Sequence, residues 1–182
     1  MKIASFFLVV FFGIFTLCSC EKLEELTTVK IPISSSRSFE IKNIKVSPSS
    51  NGLNTFGATE IVGFSSLEGL KESERNNLSH VTKMKFETGS ITIISDDGSG
   101  SVVEDFVLES DGISPNLNIS QCALGVPYTE GVGNYLDKLV KKIISDGDRN
   151  IRVSGNTDIQ AGKTMTVKIT IDGIVLYVQV ID

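Results

Sequence analysis

The sequence predicts a mainly β fold, an antiparallel β-sandwich of Greek-key type that carries one amphipathic helix. Two observations lead to this prediction. Many short stretches alternate apolar and polar residues, and turns that contain Gly, Asp and Ser separate them. One longer stretch, residues 134–145, instead repeats its apolar residues with the period of a helix.

The chain begins with a segment that has the layout of a secretory signal peptide. Lys2 precedes an uncharged, mostly apolar run that ends at Cys20. This run is shorter than the roughly 20 apolar residues that a spanning helix needs. An acidic stretch follows from Glu21, where a stop-transfer flank would be basic. We expect residues 1–19 to be removed; the alternatives are an uncleaved anchor and an ordinary signal peptidase site.

The end of this segment, Leu17-Cys18-Ser19-Cys20, resembles a bacterial lipobox in which Cys20 is the lipidated residue. With the acidic stretch 21–25, it is similar to the export signal of surface lipoproteins of the Bacteroidota. The resemblance implies several acyl chains, palmitate among them, on Cys20. It also implies an outer-membrane location, on the cell surface or the periplasmic face. Each buried methylene contributes about 0.8 kcal/mol, so such an anchor would be permanent.

Length and charge limit what the remaining chain can be. Removal of residues 1–19 leaves 163 of 182 residues, enough for one domain with a substantial core. We predict a lipid-anchored tether at 20–26 and a single β-sandwich domain at 27–182. The net charge changes from −5 to −6, because Lys2 is the only charged residue removed. An acidic chain without a basic run argues against nucleic acid and anionic lipid as partners of the domain, leaving the anchor on Cys20 as its membrane contact.

Alternating stretches at 27–33 and 38–46 predict strands, and Pro32 places the first at a sheet edge. A polar segment, 47–55, predicts a mobile loop, and 67–77 predicts a short surface helix. Shorter strands are predicted at 81–86, 90–95, 102–108, 113–119 and 151–153.

The clearest strand pattern lies near the C-terminus, where four apolar residues alternate with Thr and Lys: Met165, Val167, Ile169 and Ile171. Asp172-Gly173 follows and predicts a type I′ hairpin with strand 174–181, which would set Ile171 opposite Ile174. The returning strand is apolar on both faces, which predicts a central position or one under the helix. Residues 96–100 carry a second hairpin-turn signal.

The predicted helix is capped by Asn134, runs to about Ser145 and stops at Gly147. Its apolar stripe consists of Leu136, Leu139, Val140, Ile143 and Ile144. Lysines on the opposite side predict a solvated face.

The order of these elements resembles that of small β-sandwich lipoproteins of the Bacteroidota, most of which have no assigned activity. We therefore expect a non-enzymatic binding or assembly module of the cell envelope, with a protein partner that the sequence does not identify. The alternative is a small-ligand-binding lipoprotein with a pocket between the helix and the sheet. A hydrolase is the third hypothesis.

Residues that could carry catalysis are scarce. His80 is the single histidine, and with Cys20 lipidated Cys122 is the single thiol, so that no internal disulfide can form. A Cys122/His80 pair is the one nucleophilic arrangement available; the alternative is that both residues serve packing or the surface. Zn²⁺ prefers clustered Cys and His, which the chain lacks. We predict no enzymatic activity and no cofactor.

Calcium is the metal that the sequence favours most. Asp146, Asp148 and Asn150 place oxygen donors at alternating positions, as calcium loops do. However, Ile151 stands where such a loop needs its turning glycine, and Thr157 where it needs a bidentate glutamate. A polar connection between helix and strand is therefore the favoured interpretation.

Aromatic residues that could stack on sugars are few, since the chain has no Trp and three Tyr. Tyr128 lies in a predicted loop and is the candidate for contacting a ligand; the alternative is that it covers the rim of the core. Gly131-Val132-Gly133 lacks the third glycine of a phosphate-binding loop.

Overall fold

The computed structural model describes residues 28–33, 35–50, 52–66 and 80–179. The strands in this part are β1 (Thr28–Ile33), β2 (Arg37–Ser47), β3 (Asn54–Val62), β4 (Val81–Lys85), β5 (Thr88–Ser95), β6 (Val102–Ser110), β7 (Leu117–Ala123), β8 (Arg149–Thr157), β9 (Thr164–Asp172) and β10 (Ile174–Gln179). The α-helix, α1, spans Val132–Asp146, and Phe64–Ser66 forms one 3-10 turn. The predicted leader 1–19, tether 20–26 and helix 67–77 lie outside the described residues.

The strands form two antiparallel sheets, which confirms the predicted mainly β, sandwich-like fold with one helix. The larger sheet has the order β5-β9-β2-β3-β8-β6-β7, and the smaller sheet has the order β1-β10-β4. The chain after β7 returns to β5, where Tyr128 and Ile91 exchange two backbone hydrogen bonds of 2.8 and 2.9 Å. These bonds bring the two ends of the larger sheet together, so that the sheet curls around its buried face.

Alternation in the sequence defines the core. The four apolar residues of β9 that alternate with Thr and Lys are all fully buried, which confirms the predicted one-sided strand. In β10 the buried side chains are Ile174, Leu176 and Val178. One contiguous apolar cluster joins the buried residues of both sheets and of α1.

The predicted hairpin between β9 and β10 is wrong. β9 pairs with β2 and β5, whereas β10 pairs with β1 and β4, so that Ile171 lies opposite Arg37 and Gly89 instead of Ile174. A type I′ turn needs positive φ at both central residues, but here only Gly173 has it, at 65°. The chain therefore crosses from one sheet to the other at this turn. Each of the two strands has a neighbouring strand on both sides within its own sheet.

The position of β10 is confirmed, since it is the central strand of the smaller sheet. Its second face is only partly covered, because the outward Val175 and Tyr177 are half-buried. Pro32 lies in β1, an edge strand of the same sheet, as its missing N–H predicts.

The turn at 96–100 does not form a hairpin either. It joins β5 to β6, and these two strands are not paired with each other. Gly98 and Gly100 adopt the positive φ expected of a turn. Asp97 stabilises it by accepting hydrogen bonds from the N–H and hydroxyl of Ser99 at 3.0 and 2.6 Å.

Three strands differ from the sequence prediction. β8 spans Arg149–Thr157, whereas the predicted strand was 151–153. β3 was not predicted because its exposed and buried residues do not alternate regularly, and it is formed mainly by pairing with β8 along its whole length. β7 begins at Leu117 and not at 113, since residues 111–112 form a turn in which the N–H of Ile113 donates to the Ser110 carbonyl at 3.1 Å.

Helix α1 begins two residues earlier than predicted. Gly131 occupies the N-cap without a side-chain hydrogen bond, and Asn134 lies inside the first turn, so the predicted Asn134 cap is wrong. Two further buried residues, Val132 and Tyr135, extend the apolar stripe toward the N-terminus. The end is as predicted, because the N–H of Gly147 donates to the Ile143 carbonyl at 3.0 Å. The stripe packs on β4 and β5, which places α1 against an edge strand of each sheet.

Candidate functional site

A groove of about 740 Å³ runs between α1 and the edge strand β4. Its strand wall consists of residues 82–87, and its helix wall consists of Gly133, Asn134, Asp137, Lys141 and Ile144. Met84 is buried, and Phe86 and Ile144 are half-buried, so the groove has an apolar component between its charged rims. The groove lies between the helix and the sheet, which is the position that the sequence predicts for a small-ligand pocket.

The strand wall of the groove is a free sheet edge. β4 pairs with β10 on one side, and within the described residues no strand pairs with its other side. The edge of a strand presents a row of backbone N–H and C=O groups that can accept another strand. The groove therefore combines an apolar surface with main-chain donors and acceptors that no strand of the described chain pairs with.

Three lysines gather around one tyrosine on the outer face of the smaller sheet. Lys30 of β1 and Lys83 of β4 flank Tyr177 of β10 in a single cross-strand row, and Lys85 follows two positions later. Their ammonium groups lie 5.6, 5.7 and 5.9 Å from the centre of the Tyr177 ring. We call Lys30, Lys83, Lys85 and Tyr177 the lysine–tyrosine cluster.

The charges on the two walls differ in how they are balanced. On the helix wall, Lys141 is 2.6 Å from Asp137, so that its charge is compensated. None of the three lysines of the cluster forms an ion pair with an acidic residue of the described chain. Lys83 and Lys85 also line the groove, and so they bring uncompensated positive charge to its rim.

The sequence analysis missed this cluster. The signal was present in Val81-Thr82-Lys83-Met84-Lys85, where lysines alternate with a core residue on a predicted strand. However, the neighbourhood of Lys30 and Tyr177 depends on strand order, which the sequence did not show.

Tyr128, the candidate for contacting a ligand, lies at the closure of the larger sheet and not in the groove. Its side chain is half-buried and packs against the core. Its hydroxyl lies 3.4 Å from the Glu130 carboxylate. The pKa of Tyr128 is raised, mainly because burial partly removes its hydroxyl from solvent and to a smaller extent because of the negative charge of Glu130.

Two of the three residues of the calcium candidate, Asp146 and Asn150, have side-chain partners in the protein. Asp146 is 3.3 Å from Lys142 and 3.0 Å from Arg149. Asn150 donates to Asp111 at 3.1 Å. Within the described residues there is no group of three or more His, Cys, Asp or Glu side chains that could hold a metal ion.

His80 and Cys122 lie in different parts of the fold. His80 directly precedes β4 of the smaller sheet, whereas Cys122 is opposite Val103 in the larger sheet. Cys122 is half-buried, and burial raises the pKa of its thiol. This environment disfavours the thiolate that a nucleophilic cysteine needs.

Cys20 lies outside the described residues. No helix of the described chain is long and apolar enough to cross a membrane. Comparison with models of known protein families finds no match, and comparison with curated proteins finds no significant relative.

Proposed function

We propose that this protein is a lipoprotein of the bacterial cell envelope, held in the outer membrane by acyl chains on Cys20. Support comes from the order of a basic start, an apolar run and Leu17-Cys18-Ser19-Cys20, with acidic residues after it. The tether 20–26 then leads directly to β1, which begins at Thr28. An anchor of this kind holds the domain at the membrane without any membrane-binding face of its own.

The domain acts, in this proposal, as a non-enzymatic binding or assembly module. The observation that carries the proposal is the groove between α1 and the free edge of β4. An extended segment of a partner protein can add to such an edge through main-chain hydrogen bonds, while its alternate side chains occupy the groove. The small number of His and Cys residues in the chain favours binding over catalysis.

A small-molecule ligand is the second candidate for the same groove. Met84, Phe86 and Ile144 offer apolar contact there, and a mostly apolar lining with a few polar groups is typical of ligand pockets. A small ligand would contact these side chains and would not need the strand edge. The two candidates therefore differ in their dependence on backbone hydrogen bonds.

Site-specific crosslinking in the native host tests the proposal. A photo-crosslinking amino acid at Asn134, which is exposed on the helix wall, is expected to capture one defined envelope protein. The matched control is the same amino acid at Gln121, which is exposed on β7 and does not line the groove. Equal capture from both positions, or none from Asn134, would reject the groove as the site of protein binding.

The anchor is tested separately. Cells grown with an alkyne-labelled palmitate should label the wild-type protein but not a Cys20→Ala variant, and cleavage by protease added to whole cells would then place the domain on the surface. Label that persists in Cys20→Ala would contradict lipidation at this residue.

A further inference from the structure

The geometry points to an acidic partner: the strand that adds to β4 carries Glu or Asp at alternate positions, on the same face as the lysine–tyrosine cluster. This inference rests on the proposed function, because it names the chemistry of the segment that the groove receives. In this inference, the three lysines select which strand binds to the edge of β4.

The positive charge of the lysine–tyrosine cluster is not balanced within the described chain. The chain as a whole carries a net charge of −5, yet three ammonium groups lie within 6 Å of one ring and none has a carboxylate partner among the described residues. Like charges gathered around one ring repel each other, and their attraction to the ring offsets this repulsion only in part. A carboxylate from outside the domain would remove the repulsion.

Exposed lysines alternate with a buried methionine along β4. Lys83 and Lys85 are exposed on the outer face, while Met84 between them is buried on the inner face. Residues directly opposite each other in an antiparallel pair point to the same face. An added strand with acidic residues facing outward therefore places its carboxylates beside the lysines and its alternate apolar residues beside Met84.

The same lysines disfavour pairing of β4 with β4 of a second copy of the protein. If β4 paired with β4 of a second copy and kept Met84 facing inward, lysines of the two copies would share one face. Charged residues, lysine above all, are a common means of protecting an edge strand from self-association. Edge protection also accounts for Lys30, because β1 is the other edge strand of this sheet. Attraction of an acidic strand to β4 gains from all three charges, because their ammonium groups surround one ring.

Synthetic peptides test the inference. The protein, purified from the native host in a neutral detergent, is titrated into three labelled nine-residue peptides in which Val alternates with Glu, Gln or Lys. At low ionic strength the Glu/Val peptide is expected to bind at least about tenfold more tightly than the Gln/Val peptide, and this preference should shrink as salt is added. The Lys/Val peptide is expected not to bind.

Charge reversal supplies the specificity control. A Lys83→Glu/Lys85→Glu variant should bind the Lys/Val peptide in preference to the Glu/Val peptide. The matched control is Lys45→Glu, which changes an exposed strand lysine away from the groove and should leave the preference unchanged. Because all three positions are exposed, neither variant should be less stable to heat than the wild type.

Backbone methylation tests strand addition itself. In a strand, successive N–H groups point to opposite edges. Of two Glu/Val peptides, one methylated on the Glu nitrogens and the other on the Val nitrogens, one should lose binding and the other should keep it.

Each of the other outcomes overturns the inference. If the three unmethylated peptides bind alike and one methylated peptide fails, strand addition stands and the acidic preference is wrong. If both methylated peptides bind as well as the parent and phosphatidylglycerol vesicles compete with them, the cluster is a general anionic docking surface. If no peptide binds, the groove does not receive strands, and the proposed function falls with the inference.

Discussion

Leu136 of α1 lies directly against Gly89 of β5. A methyl group at position 89 would be 2.5 Å from Cδ1 of Leu136, closer than carbon atoms approach. Both residues are buried. The absence of a side chain at Gly89 thus allows α1 to lie close to the larger sheet.

Gly89→Ala is expected to lower the free energy of unfolding by about 1–3 kcal/mol, because the added methyl overpacks a buried contact. The measurement is denaturant unfolding. Gly133→Ala is the matched control, since a methyl at that helical position meets nothing within 4 Å and should raise stability by about 0.5–1 kcal/mol. In a Leu136→Ala background the cost of Gly89→Ala should disappear; an unchanged cost in that background would show that the two residues do not couple.

Tyr135→Phe is expected to raise the free energy of unfolding by about 1 kcal/mol. The Tyr135 side chain is buried, and its hydroxyl has no hydrogen-bond partner among the described residues, so removing the oxygen removes an unsatisfied buried polar group. Tyr128→Phe serves as the control, because its hydroxyl is close to Glu130 near solvent and its loss should change little. A destabilised Tyr135→Phe protein would mean that the hydroxyl has a partner in solution.

Asp158 should make stability depend on acid pH. Its carboxylate accepts the N–H of Ser101 at 2.8 Å and that of Val102 at 3.0 Å, joining the chain after β8 to the start of β6. Burial opposes ionisation, but these hydrogen bonds outweigh it and hold the pKa of Asp158 below its ordinary value of 3.8. The stabilisation is therefore complete above 3.8 and is lost as the pH falls through the lower folded value.

Asp158→Asn is accordingly expected to be less stable than the wild type at neutral pH, by about 1 kcal/mol, because the carboxylate is exposed to solvent screening. The difference should shrink as both proteins are unfolded at decreasing pH below 3.8. Glu60→Gln, a change at an exposed carboxylate of β3, should parallel the wild type. A difference that grows toward acid pH would contradict the assignment.

Thiol counting offers a direct check of the anchor. If residues 1–19 are removed and Cys20 is acylated, the unfolded mature protein should contain one reactive thiol per chain, from Cys122. In the folded protein this thiol should react slowly with alkylating reagents at pH 8, because burial raises its pKa. Two or three reactive thiols after unfolding would show that Cys20 is free or that the leader is retained.

Much of the fold could be predicted from local patterns. The one-sided burial of β9, the edge position of β1 with its Pro32, and the stripe and C-terminus of α1 all follow from residue periodicity and from the properties of Pro and Gly. β3 could not be predicted, because pairing with β8 and not its own alternation holds it in the sheet. The prediction of Asn134 as the N-cap was wrong, because a polar residue near the start of a helix does not show which nearby residue occupies the N-cap position.

The candidate site was predictable only in part. The sequence placed a pocket between the helix and the sheet, and a groove lies there, lined by β4 and α1. The free edge of β4 and the approach of Lys30 to Tyr177 depend on which strands pair. Such pairing is decided by contacts between residues far apart in the chain, for which local sequence patterns carry little information.

By itself, the amino-acid sequence determined which residues of β9 and of the α1 stripe enter the core, since alternation and helical period are local consequences of backbone geometry. It also supplied the pattern of residues 1–25, on which the proposed leader and location depend. The tertiary structure alone decided that the turn at Gly173 passes from one sheet to the other and that lysines from β1 and β4 meet around a tyrosine of β10. The reason is physical: strand order is chosen by the burial of whole faces against each other, and only that choice brings distant charges together.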